Sequence, residues 1–249
     1  MPRHLLYSCF LTGLEELFGW LASGYMHRSF FDSSTNVRTK PSTMTEYIVQ
    51  IAHEIQESIS VKTELGRAAA SQIAEAASAI VASLRSGGKL IAFGNGGSAS
   101  DAQHMAAELV GRYVVDRQAL AAVALTINTS SLTAIANDFG FEEIFARQLE
   151  ALAKPQDVVL AISTSGDSPN VLRALETAKT LGLKKIGLTG NDGGKLRDLV
   201  DTCVIVPSNS TPRIQEAHSL VIHILCGIVE NAFVREPHPG GEILIGGKA

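Results

Sequence analysis

Cysteine is scarce: three occur in 249 residues, Cys9, Cys203 and Cys226. An odd number without metal-ligand spacing suggests free thiols in a reducing compartment rather than a disulfide framework. Basic charge is also short, since 21 Lys and Arg face 25 Asp and Glu for a net charge of -4. No surplus is left to neutralise a nucleic-acid backbone, so DNA and RNA are not expected partners. Small anions remain open, because backbone amides hold them without net positive charge. Long apolar runs are missing as well. The richest early stretch, 5–21, is interrupted by Glu15 and Glu16, whereas a membrane span needs roughly 20 apolar residues. Arg3 and His4 could begin a secretory leader, but no convincing small-x-small cleavage site follows the apolar run. No internal repeat is present, and the reading is a cytoplasmic protein without a membrane partner.

What is present suits one α/β domain: 45% of residues are hydrophobic and 18% charged. Residues 27–43 are rich in Ser, Thr, Asn, Arg and Lys with little periodicity, which reads as a linker or arm. Residues 1–43 are therefore taken as an extension, 44–236 as the domain and 237–249 as a mobile tail. Met44 precedes the first helical pattern, so a native start near Met44 is expected; a helix in 5–21 would have few core contacts. Apolar spacing predicts helices over 45–59 and 63–84, the second ended by Ser86-Gly87-Gly88. Short apolar runs at 89–93, 121–125, 157–162, 184–188 and 202–206 then alternate with helical stretches. That pattern predicts a doubly wound, three-layer α/β fold with a parallel five-stranded sheet and N-terminal helices. A last helix is expected over about 213–234. Ligands of such sheets bind beyond the carboxyl ends of the strands.

Three places carry candidate chemistry. Gly94-Asn95-Gly96-Gly97-Ser98 follows the first strand, where glycines permit close approach of a ligand, although such a turn also occurs without one. Ser163-Thr164-Ser165-Gly166-Asp167-Ser168 precedes a helix opening at Pro169. Four hydroxyls at a helix N-terminus make a phosphate cradle, and Ser168 also stands where a helix cap would. His104 and Glu108 are spaced i, i+4 on the helix after the glycine turn, a surface pair or a site. Gln215, His218 and His223 lie on the last helix, where core histidines are the plain alternative.

Together, Gly94–Ser98, His104-x-x-x-Glu108, Asn137-Asp138-Phe139-Gly140, Ser163–Gly166, Leu188-Thr189-Gly190 with Asp192-Gly193-Gly194, and Arg213-Ile214-Gln215 with His218 and His223 resemble the phosphoheptose isomerase family over about residues 45–234. The resemblance implies a flavodoxin-like SIS fold and conversion of sedoheptulose 7-phosphate to D-glycero-D-manno-heptose 7-phosphate for lipopolysaccharide core precursors. It implies Asn95, Gly96, Gly97, Glu108, the turn at Asn137 and Asp138, Ser163, Thr164, Ser165, Ser168 and Gln215 as substrate contacts. Glu108 and His223 are implied as the acid/base pair. His104, Glu108, Gln215 and His223 are implied as ligands of one zinc ion (Zn2+) per subunit, in a homotetramer with sites at subunit interfaces. A non-catalytic relative that binds the replication initiator is the alternative; such relatives lack the pair that Glu108 and His223 supply here. A sugar-phosphate-responsive regulator has no DNA-binding module to support it. Eight residues of one helix separate Gln215 from His223 by about 12 Å along its axis, too far for one metal. Either Gln215 precedes the helix, or another subunit supplies one of the two.

Overall fold

The computed structural model describes residues 43–234; all but the last residue of the extension assigned to 1–43, with Cys9, and the whole tail assigned to 237–249 lie outside them. The chain divides into two compact units at Val49/Gln50. In the described part of the first, Thr43 and Glu46 form a capping box at the start of helix α1 (Met44–Ala68): the Thr43 amide donates to Glu46 Oε2 at 2.8 Å and the Glu46 amide to Thr43 Oγ1 at 3.3 Å. Helix α1 runs on to Ala68 and breaks at Ala69, φ -127°. The expected break near 60–62 is thus corrected, because Val61 and Leu65 still meet the core and the helical period never lapses there. Helix α2 (Ala70–Arg85) follows.

The second unit is the α/β body. Strands β1 (Leu90–Gly94), β2 (Ala122–Ala124), β3 (Val158–Ser163), β4 (Lys184–Thr189) and β5 (Thr202–Ile205) form one sheet in the order β2-β1-β3-β4-β5, every pair parallel. Helices α3 (Gly97–Val110), α4 (Thr129–Phe139), α5 (Ala146–Leu152), α6 (Pro169–Thr180) and α7 (Thr211–Val234) connect and cover it.

Side chains of β1 and β3 alternate between two cores. Leu90, Ala92, Leu160 and Ile162 face one with residues of α2, α3 and α7; Ile91, Phe93, Val159 and Ala161 face the other with residues of α5 and α6. Burial on both faces explains the continuous apolar runs in the sequence. Among the described residues only α7 is long and apolar enough to cross a membrane, and its Ile214, Val221, Ile222, Leu225 and Val229 belong to the first core.

Chain order places β2 on one side of β1 and β3 on the other. The carboxyl ends of β1 and β3 therefore flank the topological switch point, where doubly wound sheets open a crevice. Both sequence loops singled out above lie at those two ends.

Candidate functional site

The loop after β3 is shaped by its own hydroxyls. Ser163 Oγ lies 3.1 Å from Ser168 Oγ and accepts from the Gly166 amide at 3.2 Å; Ser165 Oγ accepts from the Asp167 amide at 3.2 Å. Ser168 occupies the cap position of α6, yet its hydroxyl makes no cap bond and turns to Ser163 instead. Thr164 is held from behind: its carbonyl accepts from the Gly190 amide at 3.2 Å and from Asn191 Nδ2 at 3.1 Å. Gly166 has φ +71°, and a side-chain carbon there would overlap the Gly193 carbonyl oxygen. Only glycine fits both the left-handed backbone and the close approach. Hydroxyl groups and the α6 N-terminus together offer donors to an anion.

The loop after β1 is tied to this one by an amide pair that sequence reading missed. Asn95 Nδ2 donates to Asn170 Oδ1 at 2.8 Å, and Asn170 Nδ2 returns to Asn95 Oδ1 at 2.9 Å. Asn170 is buried, and 75 residues separate it from Asn95. Gly96 and Gly97 are exposed at the start of α3. A side chain on Gly97 would collide with the carboxamide of Gln215, so the glycine admits that group to the loop.

Gly97 and Gln215 begin a seam along which α3 and α7 run side by side. One turn on, Ser219 Oγ donates to Asp101 Oδ1 at 3.0 Å. Next, His223 Nε2 lies 3.3 Å from His104 Nε2, with the rings edge to face at 88°. His104 Nε2 is in turn 3.2 Å from Glu108 Oε1. Tyr113 closes this end, its ring centroid 5.6 Å from that of His223. Burial raises the Asp101 carboxyl above its ordinary value, partly opposed by the Ser219 hydrogen bond and the His104 charge. His218 is the core histidine: it is fully buried, its Nε2 is 3.2 Å from the Thr189 carbonyl oxygen, and burial lowers its pKa to about 4.

Thus His104, Glu108 and His223 meet in one chain, and Gln215 does not join them. Gln215 lies inside α7, which removes the option that it precedes the helix; two turns separate it from His223. Asn137 and Asp138 also depart from expectation. They stand in the last turn of α4 rather than in a turn, exposed, with Asn137 Nδ2 donating to Asp138 Oδ1 at 2.8 Å. The helical reach of 129–139 comes from the Asn128 cap, whose side chain accepts from the Ser131 amide at 3.0 Å. Among the described residues, no hydrogen bond or ion pair links either of them to the seam or the hydroxyl loop.

Residues 52–190 match the SIS domain family. A phosphoheptose isomerase of Helicobacter pylori (strain P12) is 57% identical over 157 residues, 63% of this chain and 82% of that protein. The chain belongs to the phosphoheptose isomerase family. Its relative from Geotalea daltonii is 49% identical over 189 residues, 76% of this chain and 98% of the other. The solved phosphoheptose isomerase of Neisseria gonorrhoeae superposes with TM-score 0.71 at 42% identity, covering 74% of this chain and 99% of that one. Membership makes the chain an isomerase built on the SIS fold, and the switch-point loops are where that fold presents its ligand site.

Proposed function

We propose that the protein converts sedoheptulose 7-phosphate to D-glycero-D-manno-heptose 7-phosphate, the aldose used for lipopolysaccharide core precursors. The observation that carries this is the placement of Glu108 and His223 on either side of His104, at 3.2 and 3.3 Å. Isomerisation takes a proton from C1 of the ketose and returns one to C2 through an enediolate, so it needs two proton-transfer groups on one substrate. Glu108 supplies one and His223 the other. The phosphate sits on C7, the far end of the sugar, which suits a cradle separate from the reacting cluster: Ser163, Thr164, Ser165 and Ser168 hold it at the α6 N-terminus. Asn95, Gly96, Gly97 and Gln215 line the sugar between.

A zinc ion fits this donor set in part. Two imidazole nitrogens and a carboxylate oxygen are zinc ligands by chemistry, and neighbouring ligands of a tetrahedral zinc lie about 3.3 Å apart for bonds of about 2.0 Å. The His104–Glu108 and His104–His223 spacings have that length. Among the described residues, however, no three such side chains form a complete metal-binding group, and Gln215 is two turns away. His104, Glu108 and His223 would hold the ion only once another subunit supplied Gln215 to complete the set. When bound, it would stabilise negative charge on the substrate oxygens.

A homotetramer agrees with this division. Ile51, Ile55 and Ile59 on α1 and Ile224 and Ile228 on α7 are exposed, and the i, i+4 stripe on α1 is an apolar face that a second copy would cover. Cys203 and Cys226 are free thiols, which agrees with the cytoplasm. Incubating purified protein with sedoheptulose 7-phosphate and following the sugar by NMR tests the function directly. Appearance of heptose 7-phosphate is the expected result; an unchanged ketose spectrum would overturn it.

A further inference from the structure

A buried ion pair lies just beyond the reacting cluster, and the chemistry above makes no use of it. The side chains of Arg117 and Glu230 are 2% and 3% exposed, with Arg117 Nε 3.4 Å from Glu230 Oε2. Burying two charges is costly unless their remaining hydrogen-bonding capacity is filled, so their other partners show what the burial achieves. Glu230 Oε2 accepts from the Tyr113 amide at 2.9 Å, and Oε1 accepts from Val114 at 2.9 Å and Val115 at 3.0 Å. Arg117 Nη2 donates to the Glu108 carbonyl at 2.8 Å, and Nη1 donates to Leu109 and Gln118 carbonyls, each at 2.9 Å. Burial alone would raise the Glu230 carboxyl; the three amides and Arg117 outweigh it and hold the group below its ordinary range.

These bonds converge on the reacting pair. Arg117 grips the carbonyl of Glu108 itself and the end of α3. Glu230 lies on α7, two turns beyond His223, and fixes the strap 111–118 that leaves α3. That strap carries Tyr113 over Gly227, where an added side-chain carbon would touch the ring at 3.4 Å, and against His223. The His223 imidazole is therefore bracketed by His104 on one side and Tyr113 on another.

We infer that Arg117, Glu230 and Tyr113 are positioning residues for proton transfer: the ion pair ties the end of α3 to α7, and the strap it holds sets the His223 ring. The inference rests on the reading of Glu108 and His223 as the proton-transfer pair. A ring displaced by a fraction of its width loses rate rather than substrate binding.

The test uses full-length Tyr113→Leu, Tyr113→Phe and Glu230→Gln, assayed well below each variant's melting temperature. Two readouts are taken: kcat and KM for sedoheptulose 7-phosphate, and cross-peaks between the His104 and His223 ring protons in substrate-free, histidine-labelled protein. Tyr113→Leu leaves the clamp intact and should lower kcat roughly tenfold or more, with KM within twofold and the cross-peaks weakened. Tyr113→Phe should recover both, because the ring and not the hydroxyl meets His223. Glu230→Gln should weaken the same cross-peaks and lower kcat further; should it fail to fold, the two Tyr113 variants decide. Parental kcat and unchanged cross-peaks in Tyr113→Leu would overturn the inference, as would losses that Tyr113→Phe does not recover. If the parent itself shows no turnover, the proton-transfer reading fails, and the cross-peaks alone decide whether the strap sets the ring.

Discussion

The hydroxyl loop after β3 and the seam between α3 and α7 both present polar groups, but they hold them by different means. In the loop the groups come from six consecutive residues and hold one another, with the 190–194 turn as backing. In the seam the contacts between the two helices join residues more than a hundred positions apart: Ser219 to Asp101 and His223 to His104. A loop of this kind stays arranged through local hydrogen bonds, whereas the seam depends on two long helices keeping their packing. A lost loop contact should therefore appear as weaker binding, and a lost seam contact as slower chemistry.

The largest effect is expected in the seam. Glu108→Gln keeps the shape and removes the base, so kcat should fall by roughly 10²–10⁴-fold, while isothermal titration still detects sugar-phosphate binding. Activity within a few-fold of the parent would remove Glu108 from proton transfer. Mixing inactive Glu108→Gln chains with inactive His223→Ala chains sharpens the point, since the structure brings both groups together in one chain. Mixed oligomers of that pair should regain nothing beyond intact-site statistics. By contrast, mixing Gln215→Ala with His223→Ala should restore activity if Gln215 comes from another subunit; verified mixed oligomers without recovery would confine the whole site to one chain.

A smaller effect should follow from the loop. Gly166→Ala places a side chain in a left-handed backbone and against the Gly193 carbonyl, at a local cost on the order of 1–3 kcal/mol. The loop would relieve it by shifting, so KM for the sugar phosphate should rise about tenfold with kcat far less affected. A kcat loss equal to that of a seam variant would erase the distinction between the two regions.

The comparison also explains what was legible in the sequence. Five strands could be read because burial on both faces leaves continuous apolar runs, and the hydroxyl loop could be read because its parts are contiguous. Asn170, Tyr113, Arg117 and Glu230 could not be read, since each has its partner far along the chain: Glu230 is 117 positions from Tyr113. One signal did exist. Gly97, Asp101, His104 and Glu108 on one helix and Gln215, Ser219 and His223 on the other follow ladders of three- and four-residue steps, the spacing of a helix stripe. Two such polar stripes on otherwise apolar helices suggest a shared interface, though not which rungs meet. His218 and His223 show the remaining ambiguity: five residues place them about 140° apart around the axis, which says that one faces the core but not which.

The smallest effect is expected from His218, the histidine that took the core face. An unfolded histidine titrates near 6.5, and burial lowers His218 to about 4 against the pull of its Thr189 hydrogen bond. The native chain therefore keeps the ring neutral where the unfolded chain takes up a proton. Its contribution is fully present above pH 6.5, declines as pH falls towards 4, and changes no further below that. Between pH 6.5 and 5 the loss should be about 2 kcal/mol. Asp101 acts in the opposite sense, because its raised carboxyl favours proton uptake by the native state. The comparison must then be between the parent and His218→Gln, each unfolded in urea across this window. A steeper fall in the parent is expected, with the isomerase rate of both following one pH profile; parallel stability curves would mean that the buried imidazole is already protonated or solvated in the native chain.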